Sequence, residues 1–129
     1  MKIEHVALWT NQLEEMKDFY IEFFNGCANE KYTNASKHFE SYFITFESGA
    51  RLELMRKQGI TECKTDLNNH YLGFVHMAFS VGSKEMVNEL TTKLQKSGYQ
   101  IVSLPRTTGD GYYESCVLDP DGNQIEITI

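Results

Sequence analysis

Four side chains carry the pattern with the most chemistry in it: His5, Glu53, His76 and Glu126. Each histidine opens a His-apolar-Ala-apolar stretch, His5-Val6-Ala7-Leu8 and His76-Met77-Ala78-Phe79. Each glutamate lies between two aliphatics in a Gly-x-x-apolar-Glu-apolar stretch, Gly49 to Leu54 and Gly122 to Ile127. The histidines are 71 residues apart (5 to 76) and the glutamates 73 (53 to 126). Two hexamers repeated in the same order at nearly the same shift indicate an internal duplication. Taken singly, a strand histidine is usually a hydrogen-bonded rim residue and a strand glutamate the solvent-facing alternate. Neither reading calls for His and Glu at matched places in both halves. An ionised carboxylate on an enclosed surface is costly unless paired, and two of them also repel. A divalent cation relieves both penalties, and two imidazoles with two carboxylates make an N2O2 ligand set that water can complete.

The elements that must present these residues follow from periodicity. Side chains alternate along a strand, so Glu53 points away from Leu52 and Leu54, and Glu126 away from Ile125 and Ile127. His5 and His76 are opposed in the same way to Val6 and Leu8, and to Met77 and Phe79. After each histidine strand a helical stripe is predicted. Leu13, Met16, Phe19, Tyr20, Phe23 and Phe24 form the first, with Asn11 as N-cap, Glu14 three residues on and Gly26 as stop. Met86, Val87, Leu90 and Leu94 form the second, from a Ser83 cap to Gly98. Strands are then predicted at Tyr42 to Phe46 and Arg51 to Met55, and at Tyr112 to Leu118 and Gln124 to Ile127. Two weaker ones lie near Cys27 to Thr33 and Tyr99 to Leu104. Asp119-Pro120-Asp121-Gly122 has the chemistry of a turn between antiparallel strands. Each half reads strand, helix, strand, strand, strand. The division is module one at 1–56, a polar linker at 57–72 and module two at 73–129.

Composition bounds the answer. The chain has 129 residues, 41% apolar and 23% charged, which suits one domain of ordinary size. A net charge of −6 argues against a nucleic-acid partner. No apolar run is long enough to cross a bilayer, and Met1 to His5 lacks a signal peptide's apolar core. A soluble, cytoplasmic protein is expected. Cys27, Cys63 and Cys116 are distant and odd in number, so each is read as a small buried or half-buried hydrophobe. His38 and His70 have no matching partners and are read as surface or loop residues. Trp9 shares the His5 face, where it either lines a pocket or packs in the core. The glycine-rich loop from Arg106 to Tyr112 is read as a hairpin connection.

On these residues the chain resembles the vicinal oxygen chelate superfamily, the glyoxalase, bleomycin-resistance and extradiol-dioxygenase group. The carrying segments are His5-Val6-Ala7-Leu8, Gly73-Phe74-Val75-His76-Met77-Ala78-Phe79 and Asp119-Pro120-Asp121-Gly122-Asn123-Gln124-Ile125-Glu126. The resemblance implies an α+β fold of two tandem βαβββ modules forming an open, barrel-like cup around one divalent metal ion. Zinc or nickel is expected first, with cobalt, manganese and iron(II) also compatible with the ligand set. The complete His5, Glu53, His76, Glu126 set resembles the glyoxalase I type. That type implies a lyase or isomerase acting on a 2-oxoaldehyde or its thiol adduct, through a metal-stabilised enediolate. Glu126 is then the expected base, with Glu53 able to share the task. A homodimer is also expected from the resemblance. Three alternatives stay open: an acyl-thioester epimerase, a thiol transferase of the fosfomycin-resistance type, and a non-catalytic small-molecule binder. Arg51, Arg56 and Arg106 are the cations available for a carrier's carboxylates, with Arg51 on the Glu53 face.

Overall fold

In each half of the chain the first strand pairs with the last, and this pairing sets each histidine strand beside its glutamate strand. The computed structural model describes residues 1–61, 67, 69–70 and 72–129, and divides into two compact units, Met1–Cys63 and Lys64–Ile129. The expectation for Cys63 and those for much of the linker fall outside the described residues.

Unit one runs β1 (His5–Trp9), α1 (Leu13–Phe24), β2 (Cys27–Ala28), β3 (Tyr32–Asn34), a 3-10 turn (Ala35–Lys37), β4 (Phe39–Thr45) and β5 (Arg51–Lys57). Its sheet is ordered β1-β5-β4-β2, with β3 also on β4. Only β1 and β5 are parallel. Unit two runs β6 (His76–Ser80), α2 (Lys84–Lys96), β7 (Ile101–Thr107), β8 (Tyr113–Leu118) and β9 (Gln124–Thr128). Its sheet is ordered β6-β9-β8-β7, again with a parallel first-to-last pair. The α+β class and the duplicated βαβββ pattern are therefore as expected, with the second strand of unit one split in two.

The parallel pairs are closed alike. The Thr10 amide donates to the Met55 carbonyl at 2.8 Å, and the Val81 amide to the Thr128 carbonyl at 2.8 Å. The alternate residues of the last strands are buried under the helices: Leu52 and Leu54 in unit one, Ile125 and Ile127 in unit two. In unit one Leu13, Met16, Phe19, Tyr20, Phe23 and Phe24 bury the whole expected stripe of α1. Each such side chain contributes about 1.5–3 kcal/mol on leaving water. In unit two the stripe shifts. Met86 is exposed, while Thr91 is buried and its hydroxyl meets Ser115 Oγ at 2.6 Å and the Val87 carbonyl at 2.6 Å. A threonine reads as polar in sequence, but here both of its hydrogen-bonding needs are met inside the core.

The helix ends differ from expectation in one unit and agree in the other. Ser83 caps α2, its hydroxyl accepting the Met86 amide at 3.2 Å, and Gly98 follows the helix at φ +90°. Asn11 does not cap α1. Gln12 holds that place without a side-chain capping bond, and its amide donates to the Thr10 hydroxyl at 2.8 Å. At the other end Asn25 takes the left-handed conformation at φ 53°. Gly26 serves close packing instead: a Cβ there would lie 2.5 Å from Ile44 Cγ2 and 2.9 Å from the Tyr20 carbonyl.

Strand bounds also move. β4 begins at Phe39 and ends before Phe46, Tyr112 precedes β8, and β7 extends to Thr107, which places Arg106 on a strand. The loop after β7 is a tight connection. The Thr108 amide donates to the Tyr112 carbonyl at 2.8 Å and the Gly111 amide to the Thr108 carbonyl at 3.0 Å. The Asp119 turn is built as expected, with Oδ1 accepting the Asp121 and Asn123 amides at 3.0 and 2.8 Å. Cys27 is exposed, against expectation, because β2 is a two-residue edge strand; Cys116 is buried. No described helix is long and apolar enough to cross a membrane.

Candidate metal half-sites

Strand register places the four expected residues in two equivalent pairs. In unit one His5 is partnered by Arg51, so Glu53 lies two residues further along the neighbouring strand. In unit two His76 is partnered by Gln124, and Glu126 lies two residues further along. The same diagonal relation thus arises twice. His5 Nε2 stands 3.8 Å from Glu53 Oε2, and His76 Nε2 3.1 Å from Glu126 Oε2.

Both glutamates are held at the edge of water: the side chain of Glu53 is 16% exposed and that of Glu126 22%. Their backbones are fixed between buried aliphatics, Leu52 and Leu54 in one unit and Ile125 and Ile127 in the other. Two ligands of one zinc-like cation, each bonded at about 2.0–2.2 Å, stand roughly 3–3.5 Å apart. The unit-two pair falls in that range and the unit-one pair is slightly more open. The donor chemistry of each pair therefore fits half of an N2O2 set. Among the described residues no group of three or more His, Cys, Asp and Glu gathers as a metal centre, so each unit offers two donors.

The surroundings of the two pairs differ. His5 Nδ1 meets Glu4 Oε2 at 2.5 Å. A neutral imidazole donating there presents its lone pair at Nε2, toward Glu53, which is how metal-binding histidines are commonly oriented. The His5 hydrogen bond, helped by Arg51, holds the Glu4 carboxyl below the usual carboxylate range. Arg51 pairs with Glu4 and lies over the Phe43 ring at 4.2 Å, while Phe43 meets the His5 ring edge-on at 5.5 Å. Phe43 is itself the strand partner of Glu53. The expectation that Arg51 shares the Glu53 face holds. Arg56 falls on the opposite face, 3.7 Å from Glu40.

In unit two the partner of Glu126 is Cys116, whose Sγ lies 3.8 Å from Gln124 Oε1. Burial, and then the Glu126 charge, push the Cys116 thiol up to about 11. A thiol kept protonated in this way is a packing group, not a nucleophile. Arg106 pairs with Glu114 at 3.5 Å, one strand further out. His38, at φ 49°, and His70 are both exposed, as read from the sequence. Trp9 is 44% exposed, which excludes the core reading. Glu4 and Phe43 are the neighbours of the His5–Glu53 pair that sequence reasoning missed. The only available signal for Glu4 was its place next to His5, and for Phe43 its place on the strand beside Glu53.

Known proteins resemble this chain at low identity. The uncharacterized protein YqjT of Bacillus subtilis (strain 168) is 26% identical over 133 residues, covering 97% of this chain and 96% of its own. The crystal structure of glyoxalase I from Zea mays superposes at a TM-score of 0.79 with 20% identity over 98% of this chain. The chain spans 44% of the maize protein's length. A glyoxylase/bleomycin resistance protein/dioxygenase domain from Frankia sp. EAN1pec gives a TM-score of 0.82 at 18% identity, covering 100% of this chain and 97% of its own. These structural likenesses establish the fold. The profile of one family runs through residues 2–127, from the strand of His5 to the strand of Glu126, and the chain belongs to that family, the Glyoxalase/Bleomycin resistance protein/Dioxygenase superfamily.

Proposed function

We propose that His5 and Glu53 together with His76 and Glu126 hold a single divalent cation, and that the protein is a lyase or isomerase of the glyoxalase I type. The two half-sites meet either within one chain or across a homodimer. One observation carries the reading: the His–Glu pair recurs at the same strand register in both units. When bound, the cation supplies Lewis-acid polarisation of two adjacent substrate oxygens.

The chain's own residues do the rest. The carbon acid next to a carbonyl must lose its proton to a base and receive one on the neighbouring carbon. Glu126 is the base, because a carboxylate at the edge of water beside His76 can both approach a ligand and leave it. Glu53, at 3.8 Å from His5, is the looser of the two and can return the proton from the opposite unit. Glu4 keeps His5 in one tautomer and one orientation. The substrate is a small 2-oxoaldehyde or its hemithioacetal, and the setting is cytoplasmic.

The test is turnover of methylglyoxal with a panel of thiols by protein loaded with zinc, nickel or cobalt. Product formation that depends on the metal and disappears in Glu126→Gln is expected. Activity that survives both chelation and Glu126→Gln would sink the reading. Two carboxylates able to reach opposite sides of one carbon also suit an acyl-thioester epimerase. Solvent deuterium entering the α-carbon of a thioester without carbonyl transfer would select that reaction instead.

A further inference from the structure

The unit-one face that carries His5 and Glu53 continues to its far end, where the chemistry changes. On β1 the residues sharing that face are His5, Ala7 and Trp9, and on β5 they are Arg51, Glu53, Met55 and Lys57. On β4 they are Phe43, Ser41 and Phe39, the strand partners of Glu53, Met55 and Lys57. Trp9 and Lys57 are each four residues beyond the His5 and Glu53 positions, about 13 Å along the strands.

At this end three rings form a row, the outer two exposed and the middle one half-buried. Trp9 meets Phe39 edge-on with centroids 6.1 Å apart, and Phe39 meets Tyr32 at 6.1 Å. Trp9 is 44% exposed and Tyr32 54%, unusual for large aromatic side chains that are close to one another. Lys57 Nζ lies 4.8 Å over the Trp9 ring. Arg51 and Arg56 on the same strand are each paired with a glutamate, but among the described residues no carboxylate pairs with Lys57. Phe39, the middle ring of the row, and Lys57 also line a cleft of about 760 Å³, together with Asn11, Asn34, His38 and the Arg56–Glu40 pair. That volume suits a small organic ligand. Arg56 is offset there by Glu40, so Lys57 is the cation of this cleft that has no carboxylate partner among the described residues, and it favours an anion.

We propose that this end of the sheet is a binding site for a planar aromatic carboxylate. The ring of the ligand packs against Trp9 and Phe39, and its carboxylate takes Lys57 as counter-ion. Aromatic pairs prefer the edge and offset contacts that this row leaves open. As part of a substrate, such a group would lie about 13 Å along the strands from the His5 and Glu53 positions, so that substrate assignment rests on the metal reading above. The binding site itself does not depend on a metal.

Trp9 is the chain's only tryptophan and therefore reports on the site directly. Full-length protein in a chelator is titrated with phenylacetate, 2-phenylethanol, phenethylammonium and acetate, with emission excited where only Trp9 absorbs. Saturable change of Trp9 emission is expected with phenylacetate. It should be about fivefold weaker with 2-phenylethanol, as the loss of one exposed charge pair predicts, and absent with the other two. Lys57→Gln, an exposed substitution, should bring the acid and the alcohol to equal affinity. Arg106→Gln, in unit two, should change nothing. Raised salt should erode the acid's advantage. No saturable change, equal binding of acid and alcohol by the unaltered protein, or a preference that survives Lys57→Gln would each overturn the proposal. Because no metal is present, any of these results is distinct from failure of the metal reading.

Discussion

Units one and two repeat one scaffold and one histidine–glutamate pair, yet they surround that pair with different chemistry. Around His5 and Glu53 stand Glu4, Phe43 and Arg51; around His76 and Glu126 stand Val75, Cys116 and Gln124 at the matching register places. The shared part is what holding a cation requires: a donor nitrogen and a donor oxygen on one face, fixed by a parallel strand pair. The unshared part is aromatic and charged in unit one and small and neutral in unit two. The histidine–glutamate pair is common to the two units, and the residues around it are what differ. Unit one is therefore the side on which selectivity should be altered by substitution.

The largest expected effect breaks the shared part. Glu53→Gln and Glu126→Gln should each lower metal affinity and metal-dependent turnover by about 100-fold or more, since each removes an anionic ligand. If only one of them does so in a metal titration, the two half-sites are not equivalent. A second comparison concerns the helix ends. Gly26→Ala in unit one should cost about 1–3 kcal/mol in urea unfolding, because the new methyl meets Ile44 and the Tyr20 carbonyl. Gly98→Ala in unit two should cost about 1 kcal/mol, from its left-handed backbone alone, as nothing lies within 4 Å of its Cβ. The helix starts give a smaller contrast. Ser83→Ala should lose about 1 kcal/mol, and Asn11→Ala should be nearly neutral in the same assay.

The smallest expected effect is in acid. Lys31 and then Lys17 hold the Glu14 carboxyl down to about 2, against an ordinary value of 4.5. A depressed folded value means the contribution is present above pH 4.5 and fades as the pH falls from there toward 2. The Glu14 side chain is 51% exposed, so screening limits the gain to roughly 0.5–1 kcal/mol. Glu14→Gln should flatten stability against pH by that amount, a difference readable in urea midpoints at pH 6 and pH 3.

What could be read from the sequence was whatever strand alternation and repetition impose. Leu52-Glu53-Leu54 and Ile125-Glu126-Ile127 report their own faces, and the 71- and 73-residue shifts report the duplication. The pairing of first strand with last could not be read from periodicity, since it depends on contacts far apart in the chain. Other features depended on competition between neighbours. Thr10 supplies the hydroxyl at the start of α1, so Asn11 is left aside. Asn25 takes the left-handed turn because Gly26 is needed for close approach to Ile44. Thr91 is buried only because Ser115 answers its hydroxyl. Trp9 is outside the core because β1 turns that face away from α1, which no property of tryptophan itself reveals.

The central claim is that each unit gives one imidazole and one carboxylate to the same ion. Its most direct test is a cobalt titration followed by absorption spectroscopy on the intact chain, His5→Ala and His76→Ala. About one ion per chain is expected for the intact protein, with both substitutions weakening it by a comparable, large factor and changing the cobalt spectrum. Binding that is untouched by His5→Ala, or by His76→Ala, would mean the ion is held by one unit alone and would contradict the account.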